Sequence, residues 1–200
     1  MRKIEVLSMI SLDGVMQAPG GPEEDISGDF KYGGWTVAYS DESFGEIINK
    51  ELSAPFDLLL GRKTYEIFAG FWPKHSGDIA GPFNKATKYV VSGGGVELTW
   101  KESILIDGDV VAKLKALKAA DGPILQVHGS SVLIQTLLKN DLVDELRLRI
   151  FPITLGKGKR LFAEGTIPAA FELTDSTTLS SGVILANYKR SGEVKTGTFA

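Results

Sequence analysis

Gly61-Arg62-Lys63-Thr64 directly follows the apolar run Leu58-Leu59-Leu60 and opens a stretch carrying Tyr65, Phe68 and Ala69 at helical spacing. Strand, glycine, basic pair, hydroxyl and helix, in that order, build an anion site. The first turn of a helix offers unpaired N–H groups and the positive end of the dipole, and Arg62 and Lys63 add full charges beside them. A solvated first turn with a hydroxyl cap is the plain alternative. Two more turns of this kind follow apolar strand patterns. Val127-His128-Gly129-Ser130-Ser131 sets glycine and two hydroxyls where a helix begins, and Val90-Val91-Ser92-Gly93-Gly94-Gly95 ends another strand. Ligands of open α/β sheets bind at the carboxyl ends of strands, so the three turns together predict a dinucleotide site. None fits G-x-G-x-x-G or G-x-x-x-x-G-K-[ST].

Other groups are weighed in the same way. Asp13, in Ser11-Leu12-Asp13-Gly14, is the carboxylate best placed for chemistry, at the end of the first strand pattern; an Asx-type turn ahead of Gly14 is compatible with that role. Glu23, Glu24, Asp25 and Asp29 match no EF-hand spacing and read as a solvated loop, so no metal is expected. Gly156-Lys157-Gly158-Lys159-Arg160 reads as a basic surface turn, with a phosphate site as the alternative. His75 falls in a polar loop, and His128 reads as packed against the sheet or a cofactor edge rather than as a base. There is no G-x-S-x-G elbow for a serine hydrolase. With no cysteine in the chain, disulfides, zinc–thiolate sites and thiol nucleophiles are excluded.

The elements that must position these groups follow from periodicity. Residues 2–10 read as a first, central strand. Residues 11–39 hold six glycines and two prolines and read as one long loop; loops beyond about 12–15 residues are usually functional or disordered. Phe30, Tyr32 and Trp35 would be costly to leave in water, which predicts an ordered flap over a ligand. Ser40 or Asp41 caps a helix carrying Phe44, Ile47, Ile48 and Leu52. Strands are expected near 56–60, 87–91, 103–106 and 123–127, and helices over 109–119 and 131–139. Alternation of Leu142, Leu146, Leu148 and Ile150 with Glu145, Arg147 and Arg149 predicts a half-exposed strand. Strands near 171–179 and 183–190 form a hairpin, and 191–200 is a frayed tail. The pattern is α/β, a mostly parallel sheet with antiparallel strands at one edge.

The chain has 200 residues, 43% of them apolar, and a net charge of −3. That fits one compact domain and argues against nucleic acid as a main partner. Met1-Arg2-Lys3-Ile4-Glu5-Val6 lacks a signal-peptide core, and no apolar run approaches the roughly 18 residues of a membrane span. A cytoplasmic protein with a small-molecule partner is the expectation.

Ser-Leu-Asp-Gly (11–14), Gly-Arg-Lys-Thr-Tyr-Glu (61–66), Lys-Tyr-Val-Val-Ser (88–92) and Val-His-Gly-Ser-Ser (127–131) resemble, in this order, the dihydrofolate reductase-like superfamily. Leu142-Val143-Asp144-Glu145-Leu146 followed by Pro152-Ile153-Thr154-Leu155-Gly156-Lys157-Gly158 is similar to a stretch of the RibD C-terminal reductase domain of riboflavin biosynthesis and its stand-alone relatives. The resemblance covers about residues 3–190. It implies a three-layer α-β-α reductase domain over 1–190 that uses NADPH. Gly61, Arg62, Lys63 and Thr64 would hold phosphates, Ser92 would border the adenosine, and Val127, Gly129, Ser130 and Ser131 would wrap the pyrophosphate. The backbone near Met9 and Ile10 and the start of the flap would meet the nicotinamide, and Asp13 or water would supply a proton. Phe30, Trp35, Phe71 and Trp72 would frame the substrate pocket, unless they form a small core under the loop. Dihydrofolate reductases carry an acid on the helix after the flap; that position falls near Gly45. The substrate implied first is therefore 5-amino-6-(5-phosphoribosylamino)uracil, with dihydrofolate second and a non-catalytic NADPH sensor as a different class. A homodimer is expected to cover an edge strand at 142–155.

Overall fold

The computed structural model of the chain describes residues 1–39 and 42–199. Six strands run parallel: β1 (Ile4–Ser11), β2 (Phe56–Gly61), β3 (Lys88–Val91), β4 (Ser103–Ile106), β5 (Ile124–His128) and β6 (Glu145–Phe151). Two more, β7 (Ala170–Thr178) and β8 (Ile184–Gly192), form an antiparallel hairpin, and β8 pairs antiparallel with β6. The sheet order is β4-β3-β2-β5-β1-β6-β8-β7. The mostly parallel sheet with antiparallel C-terminal strands is the architecture the sequence leads one to expect.

Helices cover both faces, and the strands are apolar on both for that reason. On one face, Ile4, Val6, Leu125, Val127 and Leu146 meet Leu114 of α4 (Val110–Ala119) and Ile134 and Leu137 of α5 (Ser131–Lys139). Each such buried side chain contributes about 1.5–3 kcal/mol. On the other face, Leu58, Leu60 and Val90 meet Tyr65 of α2 (Arg62–Phe71) and Phe83 of α3 (Ala80–Lys85). Nearer β6 on that face, Met9, Phe151 and Leu185 pack with Phe44 and Ile47 of α1 (Glu42–Glu51) and with the flap residues Val15, Phe30 and Trp35. The Ser40 or Asp41 cap expected for α1 lies outside the described residues.

Four expectations change. The strand read at 142–155 as an edge is β6, which lies between β1 and β8. Its supposed exposed side is covered by α1 and the flap, so Arg149 is 2% exposed and paired with Glu51. The short α3 has no periodic apolar run to announce it. Ser191 and Gly192 belong to β8 rather than to the tail.

Candidate functional site

A cleft of about 770 Å³ opens at the carboxyl ends of β2, β3 and β5. All three turns singled out in the sequence reach it. Gly61, Arg62, Lys63 and Thr64 come from the start of α2, Ser92, Gly93 and Gly94 from the end of β3, and Gly129, Ser130 and Ser131 from the start of α5. The first and third turns are locked together. Gly61 N–H donates to Ser130 Oγ at 2.9 Å, Ser130 N–H to Thr64 Oγ1 at 2.9 Å, and Ser130 Oγ–H to the His128 carbonyl at 3.0 Å. Gly129 adopts φ +54°, and a Cβ there would lie 3.1 Å from Thr64 Oγ1; the lock requires glycine.

The lock has an electrostatic consequence. With the Thr64 and Ser130 hydroxyls engaged on each other's turns, neither helix start carries a side-chain cap. Helix α4 is different, because Asp109 accepts from Ala112 N–H at 3.0 Å. The first N–H groups of α2 and α5, two positive dipole ends, therefore converge on one cleft. Arg62 stands half-exposed 3.9 Å from Glu66, and Lys63 makes no ion pair among the described residues. This arrangement fits the phosphates of a dinucleotide.

The far wall is the root of the flap: Met16, Gln17, Ala18, Glu24, Asp25 and Ser27, with Lys159; the resemblance puts the start of the flap at the ligand, whereas Glu24 and Asp25 read as a solvated loop in the sequence. Lys159 came from the turn read as basic surface, and it pairs with Asp25 inside the cleft. The only signal in the sequence was the charge run itself. Gln17 ties the wall together: its Nε2 donates to the carbonyls of Asp25 and Ser27 at 3.0 and 2.9 Å, and its Oε1 accepts from Lys159 N–H at 3.0 Å. Burial pushes the Glu24 carboxyl above its ordinary value, although it accepts from Gly20 N–H at 2.6 Å.

Asp13 is held by three hydrogen bonds. Its carboxylate accepts from Ser11 Oγ–H at 2.6 Å and from the N–H groups of Leu155 and Gly156 at 3.1 and 2.7 Å. The Ser11 hydroxyl leads in bringing its pKa down to about 2, with the two amides adding to the effect. Asp13 thereby ties the flap to the turn after β6, and a carboxylate held ionised has no proton to give near neutrality. Arg160 completes the anchor on the Asp13 carbonyl.

The aromatic residues also separate. Phe30 and Trp35 are 5% and 7% exposed and form a core under the flap, with Trp35 meeting Phe151 at 5.2 Å and donating Nε1–H to the Gln17 carbonyl at 2.8 Å. Phe71 is exposed and stacks on His75 at 3.9 Å. Helix α2 spans ten residues, so Phe71 and Trp72 stand roughly 15 Å from the Arg62 end. Trp72 packs with Phe68 and Phe83, and both of those rings also meet His128. Ile10 and Val127 are buried on the α4–α5 face, and half-buried Met9 packs on the opposite one; none of the three lines the cleft. His128 sits among rings, and its burial, with the charge of Arg149, pushes its imidazole down to about 3.

Among the described residues no group of His, Asp and Glu is arranged to hold a metal ion, and no helix is long and apolar enough to cross a membrane. The family model of the RibD C-terminal domain matches residues 2–185. Two uncharacterized Bacillus subtilis proteins are similar: YyaP is 26% identical over 196 residues, 96% of this chain and 96% of that protein. YwjB is 27% identical over 178 residues, 89% of this chain and 88% of that protein. A candidate riboflavin biosynthesis protein from a Shewanella species superposes with a TM-score of 0.70 at 23% identity, over 94% of this chain and 99% of that one. A pyrimidine reductase-like protein from Corynebacterium diphtheriae gives 0.65 at 13%, over 96% and 93%. The dihydrofolate reductase of Enterococcus faecalis, complexed with NADP(H), gives 0.59 at 15%, over 94% and 96%. The fold is dihydrofolate reductase-like.

Proposed function

The chain belongs to the RibD C-terminal domain family, and from that premise we propose that it is an NADPH-dependent reductase of a small heterocyclic substrate. The observation that carries this reading is the convergence of two uncapped helix starts, α2 and α5, on one cleft that also holds Arg62, Lys63 and Lys159. Pyrophosphate between the two helix starts would take the N–H groups that no side chain caps. Arg62 and Lys63 favour the extra phosphate of NADPH over NADH, and Ser92 with Gly93 would border the adenosine.

When bound, NADPH supplies the hydride, delivered to the carbon of a C=N or C=O group. The chain's own part is to orient and to exclude water. The main chain at Met9 and Ile10 and the flap root at Met16–Ala18 would flank the nicotinamide, with Gln17 and the Asp13 anchor keeping the flap over the cleft. With Asp13 ionised and His128 neutral at pH 7, the proton comes from water. The substrate we infer is 5-amino-6-(5-phosphoribosylamino)uracil ahead of dihydrofolate, in the cytoplasm. A homodimer that covers a sheet edge would use β4 or β7, since β6 is internal.

The test is turnover: purified protein, NADPH and the aminouracil ribosyl phosphate, followed by loss of nicotinamide absorbance. Steady consumption that requires both compounds supports the reading. NADPH binding without turnover of either substrate would favour a non-catalytic sensor.

A further inference from the structure

Five charged side chains line the cleft: Arg62 and Lys63 of α2, Glu24 and Asp25 of the flap, and Lys159 of the turn after β6. Arg62 and Lys63 stand at a helix start, and Glu24 is engaged on Gly20 N–H. The remaining cation, Lys159, comes from the far wall with the flap. Of the cations at 157, 159 and 160 it alone lines the cleft, since Arg160 is held on Asp13. Its main chain is fixed. Met16 N–H donates to the Lys159 carbonyl at 2.8 Å, Lys159 N–H to Gln17 Oε1 at 3.0 Å, and Leu161 N–H to the Gly14 carbonyl at 3.0 Å, with Val15 bridged to Arg160 between them. This ribbon holds the root of the flap, and from it the Lys159 side chain reaches across to Asp25.

The pair can be exchanged without loss. The Lys159 side chain is a third exposed, and of the three donors an ammonium carries it gives one to Asp25 Oδ2. Asp25 keeps partners of its own, because its Oδ1 accepts from Ser27 N–H at 3.1 Å and from Ser27 Oγ–H at 2.6 Å. A phosphate entering the cleft therefore takes over the ammonium and leaves neither charge bare. It also carries more charge than the carboxylate it displaces. We propose that Lys159 is an anion-binding residue of the cleft whose ligand is a phosphate group, and that Asp25 is its counter-ion in the empty cleft, given up when that phosphate binds. Asp25 thereby selects by charge: an uncharged molecule meets a satisfied ion pair, whereas a phosphate gains the ammonium. The inference rests on the reductase reading for the source of the phosphate, which is either the dinucleotide or a phosphorylated second ligand.

The experiment is a double-mutant cycle on the full chain, read by calorimetric titration with NADPH, with inorganic pyrophosphate, and with ribose 5-phosphate in saturating NADPH. Lys159→Met keeps the length of the side chain and removes its charge, and should weaken the probe that carries the phosphate about tenfold; Lys159→Arg, which keeps the charge, should restore most of that affinity. Asp25→Asn should tighten the same probe about threefold when Lys159 is present and leave it unchanged in Lys159→Met, because the gain is the released ammonium. A loss confined to NADPH and pyrophosphate assigns the phosphate to the dinucleotide, and a loss confined to ribose 5-phosphate assigns it to the second ligand. Unaltered binding of all three probes in Lys159→Met would overturn the proposal, as would a wild type that binds none of them. Equal tightening by Asp25→Asn with and without Lys159 would also overturn it, since Asp25 would then act by its field alone. Pyrophosphate binding that needs Lys159 in a chain that does not bind NADPH would instead strike the reductase reading and leave the anion site standing.

Discussion

Gly158 is the position at which the flap anchor can be tested most sharply. It has φ +137°, and a Cβ built there would lie 2.6 Å from Val15 Cγ1 and 3.0 Å from the Phe30 ring. Val15 is fully buried and Phe30 is 5% exposed, so neither can swing into solvent to make room. Gly158→Ala should therefore cost about 1–2 kcal/mol of backbone strain and about 1–3 kcal/mol of overpacking. Gly156→Ala is the control. Its φ is +73°, but nothing lies within 4 Å of the new Cβ, so only the strain remains. Urea unfolding followed by tryptophan fluorescence reads the difference: with a slope of about 2 kcal/mol/M, the midpoint of Gly158→Ala should fall roughly 0.5–1.5 M below that of Gly156→Ala. NADPH affinity should fall with it, because Val15 continues into the cleft residues Met16–Ala18. Equal midpoints for the two variants would refute the claim that this turn clamps the flap.

Three further outcomes follow from the same contacts. Asp13→Asn should cost about 2 kcal/mol of stability, as charge-assisted bonds to the Leu155 and Gly156 amides are lost, and should leave the pH dependence of hydride transfer unchanged; a shifted pH profile would return Asp13 to the chemistry. Ser130→Ala removes the acceptor of Gly61 N–H and the donor to the His128 carbonyl, and should lower stability by about 2 kcal/mol and weaken nucleotide binding, both readable by melting with and without NADPH. His128 falls from 6.5 to about 3 on folding, so the unfolded chain takes up the proton first and stability is lost as pH drops below 6.5. By pH 4.5 that loss is roughly 3 kcal/mol, and urea titrations of His128→Gln at the two pH values should show this part of the slope removed.

Local chemistry carried most of the fold. The strand expected at 103–106 is β4, and the apolar run before Gly61 and the stretch after it became β2 and α2, because period and punctuation are properties of a few neighbouring residues. What was illegible depended on distant partners. Whether Trp35 lines a pocket or a core turns on Phe151, more than a hundred residues away. The strand at Glu145–Phe151 has the alternation of an edge strand, and only the return of β8 beside it makes it internal. Helix α3 holds Gly81 and Pro82 within six residues, a composition that signals a loop, and it persists because Ala80 and Phe83 are buried. The candidate site divides in the same way. The glycine and hydroxyl turns announced themselves, whereas Gln17, Asp25 and Lys159 entered through flap contacts that no spacing encodes. Asp13 was noticed for its position, but its partners in the turn after β6 decided its role.

The central claim is that the cleft holds NADPH by its phosphates. It is tested most directly by titrating the purified protein with NADPH and NADH, followed by nicotinamide fluorescence, with Arg62→Ala alongside. The account predicts saturable binding, tighter for NADPH than for NADH, with a loss of about tenfold in Arg62→Ala that shrinks as salt is raised. Binding of neither nucleotide, or NADPH affinity unaltered in Arg62→Ala and indifferent to salt, would contradict it.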